Sequence, residues 1–257
     1  MSDELLVERD GPVLRVTFNR PAQRNALTWR MYADLANACE IADTDADVRV
    51  MVLRGAGDEA FVAGTDISQF TEFRTGEEGI AYEHKIGQVA DRLASVRVPT
   101  VAVVSGFCVG AGFALAAVCD LRVATRSARF GIPVARTLGN CLAMSTYALI
   151  VGHLGQARAL DMLLRARLFT GEEMHAIGFV AQLCEEAELD ACTTSVVDQL
   201  AANAPLTMWA AKEATRRLRQ ANLPDGDDIV RTVYGSADFR LGVASFLAKQ
   251  QPRWQCR

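Results

Sequence analysis

Several features common in secreted, metal-binding or nucleic-acid-binding proteins are scarce or missing here. The seven cysteines, at positions 39, 108, 119, 141, 184, 192 and 256, are odd in number and include no C-x-x-C pair. That pattern excludes a fully paired disulfide framework and the usual structural zinc spacings, so no metal is expected and a reducing cytoplasm fits best. The opening MSDELLVERDG has neither the basic start nor the long apolar stretch of a secretory signal. Apolar runs such as Pro99 to Gly110 break off too soon to span a bilayer, so no membrane partner is expected. Positive charge is also short, with 27 Lys and Arg against 31 Asp and Glu for a formal net charge of −4. Only Arg216-Arg217-Leu218-Arg219 forms a basic run, either a solvated helix face or a local cationic rim for a polyanionic ligand, and nucleic acid is not an expected partner.

What is present is apolar and rhythmic. Half of the 257 residues are hydrophobic, enough for one large core with a small appendage. Leu5 to Glu8 and Val13 to Asn19 read as strands joined at Asp10-Gly11, and Val48 to Arg54, Thr100 to Ser105 and Leu121 to Ala124 are further β-rich runs. Between them lie helical patterns, one opening at Thr28 as N-cap and running to about Asp43, another over Glu77 to Val96. Recurrence of strand, turn and helix predicts an α/β fold. From about Glu186 the pattern is almost wholly helical, with breaks at Asn203-Ala204-Pro205 and at Asn222 to Gly226. The expected division is a core over residues 1–190 and a helical region over 191–257.

The segment FCVGAGFALAAVCD, Phe107 to Asp120, sets the turn Gly110-Ala111-Gly112 at the mouth of an apolar helix, where unpaired backbone N–H groups and the helix dipole favour negative charge. Taken alone, the turn reads first as a site of close helix packing. It lacks the third glycine and later acidic residue of a dinucleotide fingerprint, which argues against a dinucleotide-dependent oxidoreductase.

Other segments fall around it in a recognisable order: Asn19-Arg20-Pro21, Asn25-Ala26-Leu27, Phe61-Val62-Ala63-Gly64-Thr65-Asp66-Ile67, Cys119-Asp120-Leu121-Arg122, Phe130-Gly131-Ile132-Pro133, Thr170-Gly171-Glu172-Glu173, and Ala204-Pro205 with Lys212. Together they resemble the crotonase superfamily, the enoyl-CoA hydratase/isomerase family, over nearly the whole chain. The resemblance implies a ββα spiral core with a C-terminal helical oligomerisation region, a homotrimer or dimer of trimers, and an acyl-CoA thioester as substrate, with coenzyme A carried by the substrate and no other cofactor.

By motif position, the backbone amides of Thr65 and Ala111 would form the oxyanion hole. Arg24, Ala26, Leu27, Ala63, Asp66, Ile67, Ser68 and Gly110 would line the substrate site, although Asp66 could simply cap the turn after it and Arg24 could be an exposed turn arginine. Departures fall where hydratases of this family carry their two glutamates: those positions hold Ala114 and Val134, neither of which titrates. The stretch from Val134 to Cys141 is also one residue longer than usual for the family.

Candidates to replace the glutamates are few. Arg136 is a poor base, Cys141 and Thr137 would need an activating neighbour, and Asn140 does not exchange protons at neutral pH. An ordinary reading has Thr137 and Asn140 capping the next helix and Cys141 packed inside. His84, in the run Tyr82-Glu83-His84-Lys85, could reach the acyl end or lie on an exposed face. His153 and His175 match structural stretches. The expected activity is an acyl-CoA lyase, isomerase or thioester reaction that is not standard hydration, the alternative being a non-catalytic acyl-CoA-binding protein.

Overall fold

A computed structural model describes residues 2–255; Cys256 lies outside the described residues. The chain opens with an antiparallel hairpin, β1 (Leu5–Asp10) and β2 (Val13–Phe18), followed by α1 (Trp29–Thr44). Thr28 caps α1, its side chain accepting from the Met31 N–H at 3.3 Å. Next come β3 (Val50–Gly55), β4 (Ala60–Val62) and α2 (Gly76–Ala94); β5 (Thr100–Val104), β6 (Phe107–Val109) and α3 (Ala111–Val118); and β7 (Leu121–Thr125) and β8 (Arg129–Gly131) with α4 (Met144–Leu154) and α5 (Gln156–Leu164). The chain continues through β9 (Phe169–Thr170), α6 (Gly171–Ala176), β10 (Gln182–Cys184), α7 (Leu189–Ala202), α8 (Pro205–Gln220), α9 (Asp227–Tyr234) and α10 (Ala237–Leu247).

Each successive unit gives one strand to each of two sheets. The larger sheet has the order β1-β2-β3-β5-β7-β10 and the smaller β4-β6-β8-β9. From β2 onward the larger sheet is parallel, which explains its apolar strands. Met51, Leu53, Ala102 and Val104 point into the main core, whereas Val50, Val52, Val101 and Val103 point to the opposite face, where Leu189 and Val197 of α7 cover them. Main-core aromatics Phe113, Phe130 and Phe179 pack together, with the Phe113 and Phe179 rings stacked 5.2 Å apart.

The last helices return over their own chain. Lys212 of α8 donates to the Val98 carbonyl at 2.9 Å and pairs with Asp120. α9 lies against α2 so closely that a Cβ on Gly79 would meet the Tyr234 side chain at 2.2 Å. Of the apolar residues along α10, Phe239 and Val243 are buried within this chain, beside Phe70 and Tyr234, whereas Phe246 and Leu247 are each 45% exposed.

Candidate active site

Two backbone segments converge where the smaller sheet ends. On one side, residues 24–27 lie alongside 63–66: Ala63 N–H donates to the Arg24 carbonyl at 3.0 Å, Leu27 N–H to Gly64 at 2.9 Å, and Asp66 N–H to Leu27 at 2.9 Å. The Gly64 carbonyl faces Leu27, and in a trans peptide the N–H points opposite to the C=O, so the Thr65 N–H turns away from Leu27. That direction leads toward β6 and α3, since β4, just upstream, pairs with β6 on this side.

Ala111 begins α3, so its N–H has no helical partner. Among the described residues, neither the Thr65 nor the Ala111 N–H donates to a protein acceptor.

Glycines make this approach possible. Gly64 has φ +105° and Gly110 φ +59°, conformations that side-chain-bearing residues rarely adopt, and a Cβ on Gly110 would lie 3.5 Å from the Gly64 Cα. Deeper in, a Cβ on Gly112 would meet the Val62 carbonyl oxygen at 2.1 Å, so α3 and β4 touch backbone to backbone.

Thr65 is fixed by its side chain. Its Oγ1 shares hydrogen bonds with the hydroxyls of Tyr32 at 2.7 Å and Tyr82 at 2.8 Å, all three residues being buried. Burial holds both tyrosines well above their usual range, so they stay neutral. The hydroxyl chain therefore positions Thr65 without placing a charge near its amide.

The remaining residues expected at the site fall close to these two segments. Asp66 caps the turn Ile67–Phe70, accepting from Ser68 N–H at 3.2 Å and Ser68 Oγ at 2.8 Å, and it pairs with Arg20 at 3.1 Å. Burial alone would raise its carboxyl, but the Ser68 and Arg20 contacts outweigh that and hold it low. Leu27 is fully buried, Ile67 packs against the Phe70 and Tyr82 aromatics, and the Ala26 carbonyl accepts from Arg20 at 2.6 Å. Arg24 is exposed, pairing with Glu59 at 3.3 Å and lying 5.2 Å over the Phe107 ring. Ala114 and Val134 are both partly exposed. Ala114 lines a cavity of about 40 Å³ with Gly87, Ser145 and Thr146, and Val134 packs on the main core beside a tight turn. In that turn the Val134 carbonyl accepts from the N–H groups of Thr137, Leu138 and Gly139.

One expectation needs correction. Thr137 and Asn140 do not cap α4. Thr137 bonds back to the Pro133 carbonyl at 3.0 Å, Asn140 donates to the Tyr234 hydroxyl at 3.2 Å, and the N-cap is Ala143 without a side-chain cap. Of the two readings of His84 the exposed face is the one observed: its ring lies outward, 3.0 Å from Asp227. Cys141 is buried as expected, and burial pushes its thiol up to about 12, too high for a thiolate at neutral pH. Arg136 is exposed within the turn. His153 bonds the Ala117 carbonyl at 2.9 Å and His175 the Val180 carbonyl at 2.9 Å.

The titratable group that sequence reasoning overlooked is Glu83. It is 7% exposed, and its carboxylate accepts from the Tyr234 hydroxyl at 2.7 Å and the Ala143 N–H at 2.8 Å. Burial pushes it up to about 7, against the opposing effect of those two bonds and of His84 nearby. A signal for it existed: Gly76, Gly79 and Glu83 fall at helical spacing, which puts the glutamate on the packed face of α2.

A family model described as Enoyl-CoA hydratase/isomerase matches residues 8–257. The chain belongs to this family. It is 30% identical over 258 residues to a 2,3-dehydroadipyl-CoA hydratase of Escherichia coli, covering 99% of both chains. With a short-chain-enoyl-CoA hydratase of Clostridium acetobutylicum it shares 30% identity over 221 residues, 86% of this chain and 84% of the relative. A solved enoyl-CoA hydratase/carnithine racemase from Magnetospirillum magneticum superposes with a TM-score of 0.81 at 32% identity, covering 100% of this chain and 97% of that one. A methylmalonyl-CoA decarboxylase complex shares the fold, with a TM-score of 0.90 at 23% identity and 99% of each chain covered. The crotonase-like α/β architecture is thus the family's own, and the family acts on acyl-CoA thioesters.

Proposed function

We propose that this family member binds an acyl-CoA and uses the Thr65 and Ala111 amides to stabilise negative charge on the thioester oxygen in a reaction other than standard hydration. The observation that carries the reading is the pair of unpartnered N–H groups brought together by Gly64 and Gly110. Such donors are fixed by the backbone before charge develops, so they lose nothing to reorganisation during reaction. Arg24, Ala26, Leu27, Ala63, Asp66, Ile67, Ser68 and Gly110 form the walls of the substrate site, with Arg24 at the rim near the nucleotide. Coenzyme A arrives as part of the substrate, and the reaction needs no further cofactor.

Standard hydration is disfavoured by residue chemistry. A methyl at Ala114 and an isopropyl at Val134 cannot hold or deprotonate an attacking water. The working assembly is a homotrimer or dimer of trimers, a reading supported by exposed Leu164, Leu206 and Leu218, which are 73%, 68% and 77% exposed. Its setting is the cytoplasm, in keeping with the free thiols of the described cysteines.

Calorimetry with butyryl-CoA, coenzyme A and butyrate tests the reading: the thioester should bind much more tightly than the free acid, because nucleotide and pantetheine supply most of the contact area. Equal affinity for thioester and acid contradicts it. Turnover of a panel of acyl-CoAs separates an enzyme from a binding protein.

A further inference from the structure

The site as described has donors for an oxyanion but no group to move a proton. We infer that Glu83 is the proton-transfer group of this site, a carboxylate supplied by α2 in place of the two absent from α3 and from the segment after Pro133. This inference rests on the acyl-CoA reading above.

Placement is the first argument. Glu83 projects from α2 onto the loop that follows the Phe-Gly-Ile-Pro segment, where the Ala143 N–H holds it at the N-terminal end of α4. Gly87, one turn further along α2, and Ser145, just beyond Ala143, line the cavity that Ala114 also lines. Ala114 lies one turn into α3 from Ala111. Residues flanking the carboxylate on both sides therefore wall the same space as the position where a hydratase glutamate would stand.

An incomplete polar cluster is the second argument. Asn140 donates to the Tyr234 hydroxyl, which donates to Glu83, yet the buried Asn140 Oδ1 has no partner among the described residues. Buried acceptors are rarely left empty, and one beside a buried carboxylate is suited to a donor on a ligand or a water.

The chemistry balances with one base. The Glu83 carboxylate takes a proton from the α-carbon of the thioester: a C–H bond breaks, a carboxyl O–H bond forms, and the electron pair moves onto the carbonyl oxygen facing Thr65 and Ala111. Return of that proton to the α-carbon restores the substrate. Delivery to the γ-carbon of a 3-enoyl thioester moves the double bond into conjugation, with no water or other co-reactant. The titratable groups facing Glu83 are Tyr32 from α1, Tyr82 and His84 from α2, Cys141 from the preceding loop, Tyr147 from α4 and Tyr234 from α9. The tyrosines and the thiol are held high by burial, so they stay protonated where Glu83 titrates.

The test follows 3-butenoyl-CoA in D2O, reading deuterium incorporation and conversion to crotonyl-CoA, with butyryl-CoA affinity measured in parallel. Wild type should bind, exchange and isomerise. Glu83→Gln should bind butyryl-CoA equally well but exchange about 10²- to 10⁴-fold more slowly. Glu83→Asp, a safer variant for folding, should lose at least about tenfold in kcat with KM unchanged, a displaced base being poorly placed. Tyr234→Phe removes a hydrogen bond that favours the carboxylate, so the acid limb of the rate profile should move to higher pH, a change that a packing role would not produce. Exchange by Glu83→Gln or kcat in Glu83→Asp at the wild-type value, or an unmoved limb in Tyr234→Phe, overturns the assignment. Wild type that binds without exchanging overturns it and leaves the acyl-CoA reading standing. Failure of wild type to bind overturns that reading instead.

Discussion

Replacing Ala111 with proline isolates one donor of the oxyanion hole. Ala111 is the first residue of α3, the position where proline is best tolerated in a helix, because the N–H that it removes has no helical partner. Subtraction of that donor should lower kcat/KM for any thioester reaction by about 10²- to 10³-fold, equivalent to roughly 2.7–4 kcal/mol of transition-state stabilisation. Folding should suffer less. The main strain falls on Gly110, whose φ of +59° and ψ of −124° lie outside the conformations usual before proline, although glycine adapts more readily than other residues. Thermal melts must accompany the rates. A folded variant whose 3-butenoyl-CoA isomerisation equals wild type would refute the oxyanion role and reduce the turn to a packing device.

Wild type should hydrate crotonyl-CoA far more slowly than an ordinary hydratase, read as loss of enoyl absorbance over pH 5 to 9; brisk hydration would show that another group activates water. Gly112→Ala should destabilise the fold by about 1–3 kcal/mol or more in urea melts, because the new methyl meets the Val62 carbonyl oxygen at 2.1 Å and backbone must shift. Lys212→Met should cost about 1–3 kcal/mol in the same assay, since it strips a cation from half-buried Asp120 and a donor from the Val98 carbonyl. Burial lowers His153 to about 4, so the unfolded chain takes up its proton first and this contribution to stability is lost as pH falls from about 6.5 toward 4. Glu83, raised to about 7, has the opposite sign and loses its contribution as pH climbs from about 4.5 toward 7. Melting curves of His153→Gln should therefore show stability declining with rising pH in the shared window, whereas Glu83→Gln should show it increasing.

Most of the scaffold could be read from the chain because its signals are local. Thr28 before an apolar helical pattern, Asp10-Gly11 between two alternating runs and the Gly110 turn each act over a few residues. The assignment of Thr65 and Ala111 came from the family resemblance, and the structure adds the left-handed conformations of Gly64 and Gly110 that let the two segments approach. Glu83 was not legible, because its role depends on Ala143 and on Tyr234, 151 residues away in sequence. His84 beside it drew attention by residue type, but helical rotation carries it outward to Asp227. The same limit explains Asn140, which bonds a tyrosine of α9 instead of capping its neighbouring helix. Phe239 and Val243 of α10 are likewise buried against Phe70 and Tyr82, residues far away in sequence.

The most direct test of the central claim is the 13C NMR signal of crotonyl-CoA labelled at the thioester carbonyl, recorded free, bound to wild type and bound to Ala111→Pro. Two N–H donors on the oxygen should withdraw electron density from the carbonyl carbon, moving the bound signal downfield in wild type and much less in the variant. A bound wild-type signal at the free position, under conditions where calorimetry shows the ligand to be saturating, would contradict the account.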